Sequence, residues 1–190
     1  MMTKIVDHGV ARGFDSQQIN LAVKAAFIES SMGMPNAMAT RPGTSHVGLY
    51  QYDPVTWKTQ NHNGSITSVD SQIEAFYDDI IYYTGRYNSL TSAQRGNLPL
   101  DEYIYVKHHD GRNYTDFSGA PGLGIYRGTC FQPELHVNES GGEPPPGHPN
   151  PNAPYLYWWS PAITDKTGKV TVRNVEPLAA APTDDGDGYS

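Results

Sequence analysis

Glu29 is the first residue whose surroundings suggest chemistry. It closes the tract "AVKAAFIES", and no other acid follows it until Asp53. On a helix its i±3 and i±4 neighbours are Ala25, Ala26, Met32 and Gly33, all small or apolar. A carboxyl so placed is a candidate for desolvation, and a desolvated carboxyl suits the general acid that protonates a glycosidic oxygen. The competing reading is a solvated charge at a helix C-terminus, an end the macrodipole makes mildly unfavourable for an anion. Asp53 stands before Pro54, where Asp commonly caps or turns the chain. His108 and His109 precede Asp110 and Gly111 and suit the C-terminal end of a helix. Neighbours on a helix point about 100° apart, so one of the two faces any given groove. Without a third partner at helical spacing they make a poor metal site, and no metal or other cofactor is expected. No Gly-x-Ser-x-Gly elbow surrounds Ser30, which argues against a serine hydrolase. Gly122-Leu123-Gly124 lacks the strand and third glycine of a nucleotide fingerprint and reads as a surface loop.

These residues need elements to hold them. Residues 15–32 read as a helix, capped by Asp15 or Ser16, with Ile19, Val23, Ala26 and Phe27 on one stripe and Gly33 and Pro35 beyond its end. Residues 34–50 read as a loop. In "TSVDSQIEAFYDDIIYYTGRY", Thr67 and Asp70 fit a capping pattern, Gly85 fits a stop, and Val69, Ile73, Phe76 or Tyr77, Ile80 and Tyr83 form the stripe. "LTSAQRGN" suits a short helical turn. "LDEYIYVKHHDG" fits helix or strand, and helix is preferred. Near Ser140 the composition changes to the Pro- and Gly-rich "SGGEPPPGHPNPNAP". The dense aromatic "YLYWWSP" then packs back on the domain, offers ring faces to sugars, or docks a carrier. "GKVTVRNVEP" alternates like a short strand, and "AAAPTDDGDGYS" reads as a disordered acidic end. The expected organisation is a helical catalytic domain over 1–139 and a largely irregular extension over 140–190.

Three motifs in order carry a resemblance. Glu29-Ser30 at a helix end, Gly48-Leu49-Tyr50-Gln51, and Pro54-Val55-Thr56-Trp57 together resemble the lysozyme-like superfamily of goose-type lysozymes and lytic transglycosylases. The resemblance covers roughly residues 15–112. It implies a mainly α, lysozyme-like α+β fold and a muramidase that cuts the β-1,4 bond between N-acetylmuramic acid and N-acetylglucosamine, with Glu29 as the acid. It also implies a cleft where Ser30, Gly48, Tyr50, Gln51, His108 and His109 meet the substrate. Ser30 also suits support of the Glu or backbone, Tyr50 suits core as well as sugar stacking, and Trp57 suits core. The family's Tyr-Asn stands here as His108-His109, a departure from the pattern. Asp53 matches the water-activating Asp of goose-type enzymes in spacing, which favours hydrolysis. That role needs two carboxyls about 6.5–9.5 Å apart. The alternative is a lytic transglycosylase that yields 1,6-anhydro sugars. A second goose-type Asp is expected near Arg41 to Ser45, where the sequence has no acid. A non-catalytic glycan-binding or virion module is the competing class.

Composition bounds the partners. The chain has 190 residues, 37% of them hydrophobic, and a net charge of −7, enough for one domain with a core and a tail. That charge argues against nucleic acid, which needs clustered Lys and Arg. Peptidoglycan strands, an immunity protein or a delivery carrier are the expected partners. The lone Cys130 forms no internal disulfide and reads as a small buried hydrophobe. The start, "MMTKIVDHGVARGFDSQQ", has no apolar core of a signal peptide, and no run approaches a membrane span. The expectation is a protein made in the cytoplasm that reaches the wall by a phage or a secretion apparatus, as a lytic enzyme or antibacterial effector.

Overall fold

The structure, a computed structural model, describes residues 1–39, 43–136, 155–159 and 174–177. Contacts divide the chain into two compact units, Met1–Thr129 and Cys130–Ser190. The division falls upstream of the compositional change at Ser140. The first unit is mainly helical: α1 (Met2–Ala11), α2 (Ser16–Ser30), α3 (Pro35–Met38), α4 (Pro54–Thr59), α5 (Val69–Asn88), α6 (Ser92–Arg95), α7 (Leu100–His109) and α8 (Pro121–Gly128), with a 3₁₀ turn at Phe117–Gly119. Among the described residues, no helix is long and apolar enough to cross a membrane.

α2 starts at a capping box. Asp15 Oδ1 accepts from Gln18 N at 2.8 Å, and Gln18 Oε1 accepts from Asp15 N at 3.1 Å. It ends where Ser31 enters the left-handed region (φ 50°), followed by Met32 (φ 62°) and Gly33 (φ 77°). Along its length Ile19, Ala22, Val23, Ala25 and Ala26 are buried, so both ends of the helix are set by the chain and its middle by the core. α2 packs against α1, α5 and α7, and α5 against α7. Tyr77 Oη of α5 donates to Ile5 O of α1 at 2.7 Å, and Arg12 pairs with Glu74 and Asp78 at 2.8 and 2.7 Å. The buried Tyr77 hydroxyl thus finds a carbonyl, as a desolvated donor needs a partner.

Several expectations need correction. α5 is capped by Ser68, not Thr67, and runs through Gly85 to Asn88. Gly85 is exposed and keeps helical geometry, so the helix passes it at a modest propensity cost. Part of the expected loop at 34–50 is helix α3, and residues 40–42 lie outside the described residues. The segment expected as a glycine loop is helix α8, started by Pro121 and docked on α7. Tyr126 Oη donates to Asp101 at 3.0 Å, and Arg127 grips Glu102 at 2.8 and 2.7 Å. Cys130 is exposed rather than buried, because it sits in an irregular link after α8.

The second unit holds a three-stranded antiparallel sheet in the order β1 (Gln132–His136), β2 (Tyr155–Trp159), β3 (Asn174–Pro177). Leu135 pairs with Leu156, and Leu156 with Glu176. β2 is the backbone of the aromatic tract and β3 the end of the alternating one. The Pro-rich segment at 140–154 and the acidic end lie outside the described residues.

Candidate functional site

Glu29 occupies the last turn of α2 and is 7% exposed. Tyr105 of α7 donates its hydroxyl to Glu29 Oε1 at 2.6 Å. A tyrosine O–H that short fixes the carboxyl in one orientation inside the protein. Ser30, beside it, has three contacts. Its Oγ lies 2.7 Å from Leu49 O and 3.1 Å from Ala26 O, and accepts from Gly33 N at 3.0 Å. One hydroxyl carries one proton, so the shorter bond to Leu49 O is the donated one. The turn bearing Glu29 is thereby joined to the Gly48–Gln51 segment.

That segment is held from every side. Val47 and Tyr52 bridge its ends. Gln72 of α5 accepts from Tyr50 N at 2.8 Å and donates to Val47 O at 3.0 Å. Tyr50 is fully buried, stacks on Phe76 with centroids 4.2 Å apart, and donates to Ala22 O at 3.1 Å. Gly48 has φ 85°, and a Cβ there would collide with the Gln72 amide; glycine is required twice over. Ser30, Gly48 and Tyr50, expected to meet the substrate, therefore turn inward and shape the segment instead.

Gln51 is the exception. Its Nε2 donates to Gly48 O at 2.8 Å and Ala37 O at 3.0 Å, which fixes which amide atom is nitrogen. Its Oε1 is buried and, among the described residues, has no hydrogen-bond partner. A buried acceptor without a donor is costly in a folded protein. Gln51 lines a cleft of about 740 Å³, as do Asp53, His108 and His109. Glu29 does not line this cleft. It lies close enough to it that its charge acts on His108.

His108 Nε2 sits 2.8 Å from Tyr50 O, so that nitrogen carries the proton. Burial pushes its pKa down, against the pull of Glu29 and the Tyr50 bond, and the ring is neutral near pH 7. His109 lies at the rim, its Nδ1 2.8 Å from Asp110 Oδ1. Both histidines reach the cleft, one from its wall and one from its edge, although adjacent helical positions were expected to divide. Among the described residues, no group of three His, Cys, Asp or Glu is arranged to hold a metal ion.

Asp53 is the N-cap of α4. It accepts from Thr56 N at 3.0 Å and from Ser45 Oγ at 2.6 Å, and these bonds, Ser45 first, hold its carboxyl below the usual range. Such a group is a weak base. Trp57 is buried and stacks edge-on against Tyr52, at 5.2 Å between centroids.

Two residues of the site escape motif reading. Tyr105 stands three and four residues before the histidines, so the helical spacing alone puts it on their face. Asp79 is an acid on the buried stripe of α5, between Phe76 and Tyr83. It lines the cleft and accepts from Tyr52 Oη at 2.6 Å. Burial raises its pKa to about 7, with the Tyr52 bond opposing and Asp78 adding. Compared with known proteins, the chain matches no family model, and no curated protein or solved structure resembles it significantly.

Proposed function

We propose that the chain is a muramidase that cleaves the β-1,4 bond of peptidoglycan between N-acetylmuramic acid and N-acetylglucosamine. The observation that carries the reading is the bond from Ser30 to Leu49 O at 2.7 Å. It joins the Glu-Ser and Gly-Leu-x-Gln motifs, two of the three that carry the likeness to lysozymes and lytic transglycosylases. Glu29, oriented by Tyr105, donates its proton to the glycosidic oxygen as the bond breaks. Gln51, in the wall of the cleft, is the contact this reading assigns to the glycan.

The way the anomeric centre is quenched divides the reading in two. Inverting hydrolysis uses a second carboxylate to activate water. Asp53 was the candidate, but it is occupied in capping α4 and its basicity is reduced. That observation favours the second reading, a lytic transglycosylase, in which the sugar's own 6-hydroxyl attacks and Glu29 returns as base. Digestion of purified peptidoglycan followed by mass spectrometry tests both. Released muropeptides bearing a reducing end mark hydrolysis, products lighter by one water mark anhydro formation, and no released muropeptide refutes the enzyme.

A further inference from the structure

Asp79 is a buried carboxyl that the proposed cleavage does not use. It is 5% exposed and sits at the middle of α5. From the Gly48–Asp53 segment, Tyr52 donates to its Oδ2 at 2.6 Å. From the chain after α4, His62 Nε2 lies 3.5 Å from Oδ1. His62 is itself buried, with its pKa pushed down by burial, and Gln60 Oε1 lies 2.8 Å from the same nitrogen. From α5, Asp78 repels the charge and Tyr83 lies close by; from beyond α7, Arg112 attracts it from a distance. Among the described residues, no Lys or Arg forms an ion pair with Asp79. A carboxylate there is thus buried among neutral partners, and Tyr52 is the group that ties it to the cleft segment.

We propose that Asp79 is a positioning residue for the cleft: through Tyr52 it clasps the Gln51–Asp53 segment to α5, and the clasp is closed when Asp79 is protonated. The physical basis is linkage. If opening the clasp lets Asp79 reach water, the closed form binds a proton more tightly than the open form, so ionisation favours opening. The closed form holds Gln51 in the wall of the cleft. This deepens the muramidase reading and depends on it only for the activity measurement.

Hydrogen exchange of residues 47–53, corrected for intrinsic rates, tests the clasp without any substrate. In wild type, protection should fall by up to roughly tenfold per pH unit between about pH 5 and about pH 7 and level off above that. Asp79→Asn keeps an acceptor for Tyr52 but cannot ionise, so its protection should not change across that range. Tyr52→Phe keeps the acid but removes the clasp, so it should be poorly protected at both values. Wild-type kcat/KM on peptidoglycan should carry an alkaline limb near pH 7 that Asp79→Asn lacks. The same pH dependence of protection in Asp79→Asn as in wild type overturns the proposal. The expected exchange pattern in a protein without lytic activity upholds the clasp and refutes the muramidase.

Discussion

Glu29 and Asp53 are both carboxyls at the ends of short-range helical signals, and their environments are opposite. Glu29 closes a helix, is 7% exposed, and is held by a hydroxyl from another helix, Tyr105. Asp53 opens a helix, is partly exposed, and is held by its own neighbours Ser45 and Thr56. The first arrangement exists only in the folded protein; the second is a local cap that a short peptide can make. A carboxyl placed by tertiary contacts, against its helix end's preference, carries a cost that a function can explain. A carboxyl placed by local geometry is accounted for by that geometry alone.

The comparison breaks most severely at the segment between the two acids. Gly48→Ala puts a side chain at φ 85° against Gln72; a loss of about 2–4 kcal/mol in stability is expected in urea unfolding, with cleavage lost alongside. Tyr105→Phe removes a bond that orients Glu29, so kcat should drop by up to roughly tenfold, the worth of one hydrogen bond, with KM nearly unchanged. Asp53→Ala should cost about 1 kcal/mol of stability through the lost cap, with under roughly tenfold loss of kcat. A loss in kcat as large as that of a catalytic base would return Asp53 to the chemistry.

Acid titration sharpens the contrast between Asp53 and Asp79. Asp53's folded pKa is lowered, so its stabilisation is present above its unfolded pKa and disappears as pH falls through the folded value. Asp79's is raised to about 7, so its effect runs the other way: stability declines as pH rises from its unfolded value toward about 7. Wild-type Tm, compared with that of Asp79→Asn, should therefore fall between about pH 4 and about pH 7 and level off above. The Asp53→Asn variant should differ from wild type mainly near and above pH 4.

The sequence made α2 readable because capping box, apolar stripe and terminal glycine agree, and α5 because its stripe is long. α8 was misread because three glycines, Gly122, Gly124 and Gly128, obscured it; Leu123 and Tyr126, buried in the packing with α7, supply what propensity does not. α1 carries no side-chain cap and no clear punctuation, and its packing against α2 and α5 decides it. Within the site, Glu29 was visible as a lone acid in an apolar tract. The inward turn of Ser30 and Tyr50 was not, because a motif gives residue order and not side-chain direction. Asp79 was discoverable as an acid on a buried stripe, but its partner Tyr52 comes from a segment that only the fold brings near.

The central claim is that Glu29 is the acid of a peptidoglycan-cleaving site. The most direct measurement is muropeptide release from purified sacculi by wild type and Glu29→Gln, with Tm recorded for both. The account predicts release by wild type, a loss of roughly 10²–10⁴-fold in Glu29→Gln, and a Tm within a few degrees of wild type. Undiminished release by a folded Glu29→Gln would contradict it.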